Sequence, residues 1–251
     1  MNILLTNDDG LCSEGILYFA EKLSEKHNVL VVAPAKNNSA VSHSLSIFKK
    51  FTVKEERISE KFRSFSVSGT PADCVKFAHH NLQSDFPIDV VLSGINKGHN
   101  LGTDTLYSGT VSAAFEGTAL GYRSIAFSNV SHEGYFMSDC AVIASSLFLE
   151  LLPYMADGII FNVNFPELKK EEMKGICFAP LGKQIYSDYY EGTAEGEFML
   201  TGEMLAHDEN HAECDVERCR EGFITVTPLL YDRTAYDLLG KLENVKIKGF
   251  V

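Results

Sequence analysis

The chain opens with Ile3-Leu4-Leu5-Thr6-Asn7-Asp8-Asp9-Gly10, and this stretch decides how the rest is read. Three aliphatic residues in succession, without polar alternation, suit a strand buried on both faces of a parallel sheet. A polar turn follows at once, and Gly10 permits the sharp bend that holds it at the strand tip. Similar short apolar runs recur at 29–32, 65–67, 90–92, 125–127 and 159–163. Their starts lie about 25 to 36 residues apart, the length of one strand-plus-helix unit.

The intervening segments carry helix signals. Ser13 can cap a helix with the apolar face Ile16, Leu17, Ala20 and Leu23, and with Lys22, Lys26 and His27 near its C-terminal end. Thr70-Pro71-Ala72-Asp73 combines a cap residue, a proline at the first helical position and an acid at the third. Residues 141–152 are apolar nearly all round, as in a helix packed deep against a sheet. Residues 1 to about 165 therefore predict an α/β fold with a doubly wound, mostly parallel sheet.

The pattern changes after that. Residues 176–179, 197–200 and 223–226 read as strands with no strong helix between them, so about 175–251 is expected to be a β-rich C-terminal extension of a single 1–251 domain. A charged insertion at about 44–64 alternates at Phe51, Val53 and Ile58. An extension unable to cover its own apolar face often packs on another subunit, which makes a homo-oligomer the expectation.

Composition narrows the classes. Of 251 residues 45% are hydrophobic and 22% charged, too apolar for disorder. Six scattered cysteines do not form a disulfide framework and suit free thiols in a reducing cytoplasm. The formal charge of −12 repels polyanions, so long nucleic acid is not an expected partner. No basic segment precedes the first apolar run, and no unbroken run of about 18 apolar residues occurs; neither a signal peptide nor a membrane span is expected.

In an open α/β sheet the ligand sits beyond the carboxyl ends of the strands. The first strand ends in Asp8-Asp9, two carboxylates that repel each other unless a cation lies beside them; one of them could instead cap the next helix. The second leads into Ala33-Pro34 and a polar loop containing Ser39. The run at 90–92 leads into Ser93-Gly94-Ile95-Asn96-Lys97-Gly98-His99-Asn100, either a backbone bent around a ligand or a flexible loop. Two carboxylates, a hydroxyl and an amide oxygen form an all-oxygen set, which suits a hard cation such as Mg²⁺ or Mn²⁺. Tyr107-Ser108-Gly109-Thr110-Val111 runs from small hydroxyl residues into a helix start, a ready phosphate site as well as an ordinary cap.

These blocks, with Gly69 through Val75, Ala113-Ala114, Glu116-Gly117, Asn162 through Pro166 and Thr225 through Leu229, resemble the SurE family of metal-dependent phosphomonoesterases. The resemblance runs along most of the chain in order. It implies a Rossmann-like core, hydrolysis of nucleoside 5′-monophosphates, with 3′-nucleotides or short polyphosphate as further substrates of some members, and oligomerisation through the C-terminal part as a homodimer or homotetramer. It implies that Asp8, Asp9, Ser39 and Asn96 ligate one divalent cation. Asn7 and Gly94, with Asn96, Ser108, Gly109 and Thr110, are the expected phosphate- and substrate-binding residues, and Asp8 and Asp9 the catalytic ones. Residues 187–221 depart from the family pattern, with Arg218 in place of a small residue; the departure touches the oligomer contacts and the substrate-facing arm.

Other readings are kept beside this one. His207, His211, Cys214 and Cys219 could make a zinc site, although the loose Cys spacing and surrounding acids favour a solvated acidic loop. A Mg²⁺-binding phospho-acceptor module also places an acidic pair after its first strand, but needs an acceptor Asp where Ser68-Gly69-Thr70 stands. A phosphatase with Asp8 as nucleophile would pass through an aspartyl phosphate. The chain lacks G-x-G-x-x-G after its first strand, G-x-x-x-x-G-K-[ST] and G-x-S-x-G, which disfavours dinucleotide oxidoreductases, P-loop NTPases and α/β-hydrolases.

Overall fold

A computed structural model describes residues 1–131, 133–207, 212–243 and 245, with 204–207 described by their backbone. In chain order its first half comprises β1 (Asn2–Thr6), α1 (Glu14–Leu23), β2 (Asn28–Pro34), β3 (Val53–Glu56), β4 (Arg63–Val67), α2 (Pro71–Leu82), β5 (Val90–Lys97) and α3 (Gly109–Ala119). There follow β6 (Arg123–Asn129), α4 (Met137–Leu151), β7 (Ile159–Phe165), β8 (Ile176–Phe178), β9 (Gln184–Tyr186), β10 (Tyr189–Ala194), β11 (Glu197–Thr201), β12 (Met204–His207), α5 (Asp215–Arg220), β13 (Ile224–Leu230) and α6 (Tyr236–Leu242).

Nine strands form one sheet in the order β3-β4-β2-β1-β5-β6-β7-β13-β8. The six strands from β4 to β7 in that order are mutually parallel, while β3 and β13 run antiparallel to their neighbours β4 and β7. The sheet is thus α/β, doubly wound and mostly parallel. Two small antiparallel ribbons, β10-β11 and β12-β9, stand apart from it.

The absence of polar alternation in β1 has the expected cause. Ile3 and Leu5 enter one core with Phe19, Phe127, Phe148 and Phe165, under α1 and α4. Leu4 points the other way, into a second core with Leu30, Val75, Ala78, Val91 and Ala113, under α2 and α3. Burying each such large side chain contributes about 1.5–3 kcal/mol. The Phe127 ring meets Phe19 edge-on at 5.3 Å and stacks on Phe165 at 6.3 Å.

Helix α2 starts as read: Thr70 Oγ1 accepts from Asp73 N at 3.2 Å, and Asp73 Oδ2 accepts from Thr70 N at 2.9 Å. At α1, by contrast, Ser13 occupies the cap position without making a side-chain cap hydrogen bond; its Oγ accepts from Asn7 Nδ2 at 2.7 Å instead.

Several expectations need correction. Strand β5 runs on through Lys97 with a register shift between Ser93 and Asn96, so the first part of the stretch read as a bent backbone or a flexible loop lies inside the sheet. The insertion at 44–64 supplies the edge strand β3. Residues 214–220 are not a solvated loop: Cys214 stands at the N-cap of α5 (Asp215–Arg220), in which Asp215, Val216 and Cys219 are buried. The stretch Met137–Tyr154 is long and apolar enough to cross a membrane by length and composition. Its apolarity is that of a core helix, because Cys140, Ala141, Ala144, Leu147, Phe148 and Leu151 of α4 are buried against the sheet.

Candidate active site

Strand β1 lies between β2 on one side and β5 on the other, so successive units leave it in opposite directions. That reversal opens a crevice at the carboxyl ends of β1 and β5, where an open α/β sheet binds its ligand. Asp8 and Asp9 follow β1, and Asn96 lies near the end of β5.

Asp8 is 4% exposed and faces the N-terminus of α3. Thr110 Oγ1 donates to Asp8 Oδ1 at 2.5 Å, and Thr110 N to Asp8 Oδ2 at 3.1 Å. A Cβ on Gly109 would stand 2.9 Å from Asp8 Oδ2, so glycine is what admits the carboxylate here. The Asp8 carbonyl accepts from Asn38 N at 2.7 Å, which brings the loop bearing Ser39 to the same strand tip. Asp9 is half-buried, and its Oδ2 accepts from Lys97 N at 2.8 Å, tying the acidic pair to the end of β5.

Both carboxyls are uncomfortable as charges. Burial pushes Asp8 up to about 6; the Thr110 hydroxyl pulls it back and the Asp9 charge adds to the rise. Burial also raises Asp9, against the Lys97 N–H and the Lys97 charge. A cation between or beside them removes that cost. Asn96 gives its Nδ2 to Gly98 O at 2.9 Å, which leaves the amide oxygen for a ligand. Exposed Ser39 donates its Oγ–H to Asn37 Oδ1 at 2.6 Å, and the oxygen lone pairs stay open. The donor set is all oxygen and fits Mg²⁺ or Mn²⁺. Among the described residues no three His, Cys, Asp or Glu side chains gather as a metal cluster.

Other candidates occupy different positions. Asn7 is fully buried and closes the turn, donating to Gly10 O at 3.0 Å and accepting from Gly10 N at 3.2 Å. Gly94 lies within β5, where a Cβ would come 2.3 Å from Phe127 O; it lets β5 approach β6. Ser108 is the α3 cap, with Oγ accepting from Val111 N at 3.0 Å. Thr110 N and its hydroxyl belong to Asp8 and Val111 N to Ser108 Oγ, whereas Gly109 N has no hydrogen-bond partner among the described residues. Of the zinc candidates, His211 lies outside the described residues, as does the His207 side chain. Cys214 and Cys219 are buried with Leu101 and Val216, and burial pushes the Cys219 thiol up to about 12.

A further group, not among the expected site residues, lies on the same helix as Thr110. Glu116 on α3 is 4% exposed and takes His43 Nε2 at 2.9 Å and Lys76 Nζ at 2.5 Å. Burial pushes its carboxyl up, but the two partners outweigh that and hold it below the usual range. A lone acid in the small-residue run of α3 was the available signal.

A family model described as "Survival protein SurE" matches residues 3–188. Among curated relatives, a 5′-nucleotidase SurE of Petrotoga mobilis is 39% identical over 249 residues, covering 97% of this chain and 98% of the relative. A 5′-nucleotidase SurE of Clostridium botulinum is 40% identical over 256 residues, covering 98% and 99%. The crystal structure of the SurE protein from Aquifex aeolicus superposes with a TM-score of 0.82 at 35% identity, covering 96% of this chain and 97% of that one.

Proposed function

Because this chain belongs to the SurE family, we propose that it is a 5′-nucleotidase, a divalent-metal-dependent phosphomonoesterase that hydrolyses nucleoside 5′-monophosphates to nucleoside and phosphate. The observation that carries the reading is the buried Asp8 beside Asp9, two raised carboxyls at the strand reversal with a helix N-terminus against them. Asp8, Asp9, Ser39 and Asn96 would hold one Mg²⁺ or Mn²⁺ per subunit. When bound, such a cation offsets the carboxylate pair and draws charge from a phosphoryl oxygen.

The protein's own groups do the rest. Gly109 N and the positive end of α3 receive a phosphate oxygen. Thr110 fixes both oxygens of Asp8, which makes Asp8 a rigid ligand rather than a mobile nucleophile and disfavours an aspartyl phosphate. Asp9, half-exposed and with Oδ1 outside the Lys97 contact, is the better placed to accept the proton of the attacking water. Water attacks phosphorus, the P–O ester bond breaks, and the nucleoside oxygen leaves and takes up a proton. The phospho-acceptor alternative finds no support: Asp73, near the end of β4, is committed to its capping box and to Ser46 N at 3.0 Å.

A homodimer or homotetramer through the C-terminal extension belongs to the same proposal. Phe178, Tyr190, Phe198, Leu200 and Leu230 are exposed there, large apolar side chains that a second copy of the chain would cover. Six free cysteines support a cytoplasmic setting. The test is phosphate release from a panel of 5′- and 3′-nucleotides and short polyphosphate, before and after EDTA and with Mn²⁺ or Mg²⁺ restored. Loss with chelator and recovery with metal is the expected result; full turnover in the chelated, metal-free sample refutes the mechanism.

A further inference from the structure

We propose that His43, gripped by Glu116, is a positioning residue that latches the Ser39 segment beside Asp8 and thereby sets the affinity of the cation site. The inference rests on the metal reading above. Its geometry begins with α3. Thr110 in the first turn holds Asp8, and Glu116, six residues further along the same helix, holds His43. At 1.5 Å per residue the two grips lie about 9 Å apart on one rigid rod. Asp8 and the Ser39 segment are therefore referenced to a common element rather than to each other alone.

The segment needs such a reference. It leaves β2 through an exposed loop, and Ala40 and Ser42 adopt φ of 56° and 54°, a left-handed backbone that non-glycine residues rarely hold. Such a conformation persists where its surroundings impose it. Backbone grips contribute: Ser42 N donates to Tyr107 O at 2.9 Å, and Thr70 Oγ1 donates to Ser44 O at 2.7 Å. His43 adds a side-chain grip of the segment on α3, its Nε2 lying 2.9 Å from Glu116 Oε2. Glu116 would be a costly choice for packing alone, because a buried carboxylate demands partners that an aliphatic residue does not. Lys76 from α2 supplies its second partner and leaves Oε2 for His43.

The experiment is calorimetric titration of metal-free protein with Mn²⁺, using wild type, Ser39→Ala, His43→Ala, His43→Gln and the double variant Ser39→Ala/His43→Ala. Residues that orient metal ligands typically contribute tenfold to a hundredfold in affinity, so His43→Ala should weaken Mn²⁺ binding by at least about tenfold. His43→Gln, whose side-chain amide can still donate to Glu116, should restore most of that loss. Since His43 acts through Ser39, the double variant should bind no more weakly than Ser39→Ala alone. Unchanged affinity in His43→Ala, or multiplied losses in the double variant, overturns the proposal. Should His43→Ala fail to fold, His43→Leu fills the volume without a donor, and wild-type affinity there overturns it equally. Wild type that binds Mn²⁺ yet releases no phosphate from nucleotides would sink the proposed activity and leave the latch standing. Absence of Mn²⁺ binding by wild type sinks both.

Discussion

Thr110 meets Asp8 twice, through its hydroxyl at 2.5 Å and its backbone N–H at 3.1 Å, across 102 residues of chain. A helix N-terminus that could have offered these donors to a phosphate instead offers them to a carboxylate. In the proposed mechanism a cation held by Asp8 would offset the carboxylate, so that the α3 N-terminus could still serve a phosphate.

Thr110→Val keeps the shape of the side chain and removes its hydroxyl. Sequence reading assigns that hydroxyl to phosphate, which lowers kcat/KM and leaves metal affinity nearly untouched; the structure assigns it to Asp8, so metal affinity should fall as well. Asp8 loses a charge-assisted hydrogen bond, so Mn²⁺ affinity and kcat/KM should both fall, kcat/KM by about 1.5–3 kcal/mol. Titration with Mn²⁺ beside steady-state kinetics checks this. Intact metal affinity with reduced kcat/KM would return the hydroxyl to the phosphate.

Asp9→Asn separates stability from function. An amide oxygen can still accept from Lys97 N, and the like charge beside Asp8 is gone. The metal-free variant should melt at or slightly above the wild-type temperature. With metal the order reverses, because a ligand bound to the folded state at 100 times its Kd stabilises by about 2.7 kcal/mol, which wild type gains and the variant largely does not. A variant melting far below wild type in EDTA would make Asp9 a structural residue.

Much of this arrangement was legible in one dimension because it is local. The unbroken Ile3-Leu4-Leu5 run marks a strand with helices on both faces, and Thr70 to Asp73 states its capping box within four residues. What the sequence concealed is non-local. Ser13 looks like a cap, yet its oxygen is taken by Asn7 from the preceding turn. Thr110 looks like a phosphate ligand until Asp8 is placed against it. The acids at 207–221 look solvated, but Asp215 is fully buried. Asn96 and Ser39 carry oxygen donors in strand-end motifs that a sequence displays, whereas His43 and Glu116, 73 residues apart, share no joint signal.

Asp215 shows what such a concealed residue does. Its carboxylate accepts from Gly102 N at 2.8 Å, Gly182 N at 2.7 Å and Val216 N at 2.9 Å, joining two loops to α5. Burial raises its carboxyl while these N–H groups oppose the rise. Asp215→Ala leaves three donors without their acceptor and should destabilise by about 3–5 kcal/mol, or about 10 °C in Tm. Asp215→Asn, which retains one accepting oxygen, should lose less. Thermal melting of both variants checks the order, and an unchanged Tm in Asp215→Ala would remove the staple.

The pH dependence of the metal-free protein follows from Asp8. Its carboxyl rises from 3.8 to about 6 on folding, so the folded state favours the protonated form. The stability that this preference contributes is fully present below the unfolded value, near pH 4, and is lost as pH rises through about 6. The loss is on the order of 3 kcal/mol at most, at 1.36 kcal/mol per unit. In EDTA, wild type should therefore lose stability between pH 4.5 and 7 relative to Asp8→Asn, which has no such proton to release. A cation bound to the ionised carboxylate reverses the sign, since protonation then competes with binding. The rise in Tm on adding Mn²⁺ should consequently be larger at pH 7 than at pH 5. Melting curves of both proteins across that range, with EDTA and with Mn²⁺, read the two slopes separately. Parallel wild-type and Asp8→Asn curves in EDTA would show that Asp8 folds with its charge unopposed, and the buried carboxyl would then need another explanation.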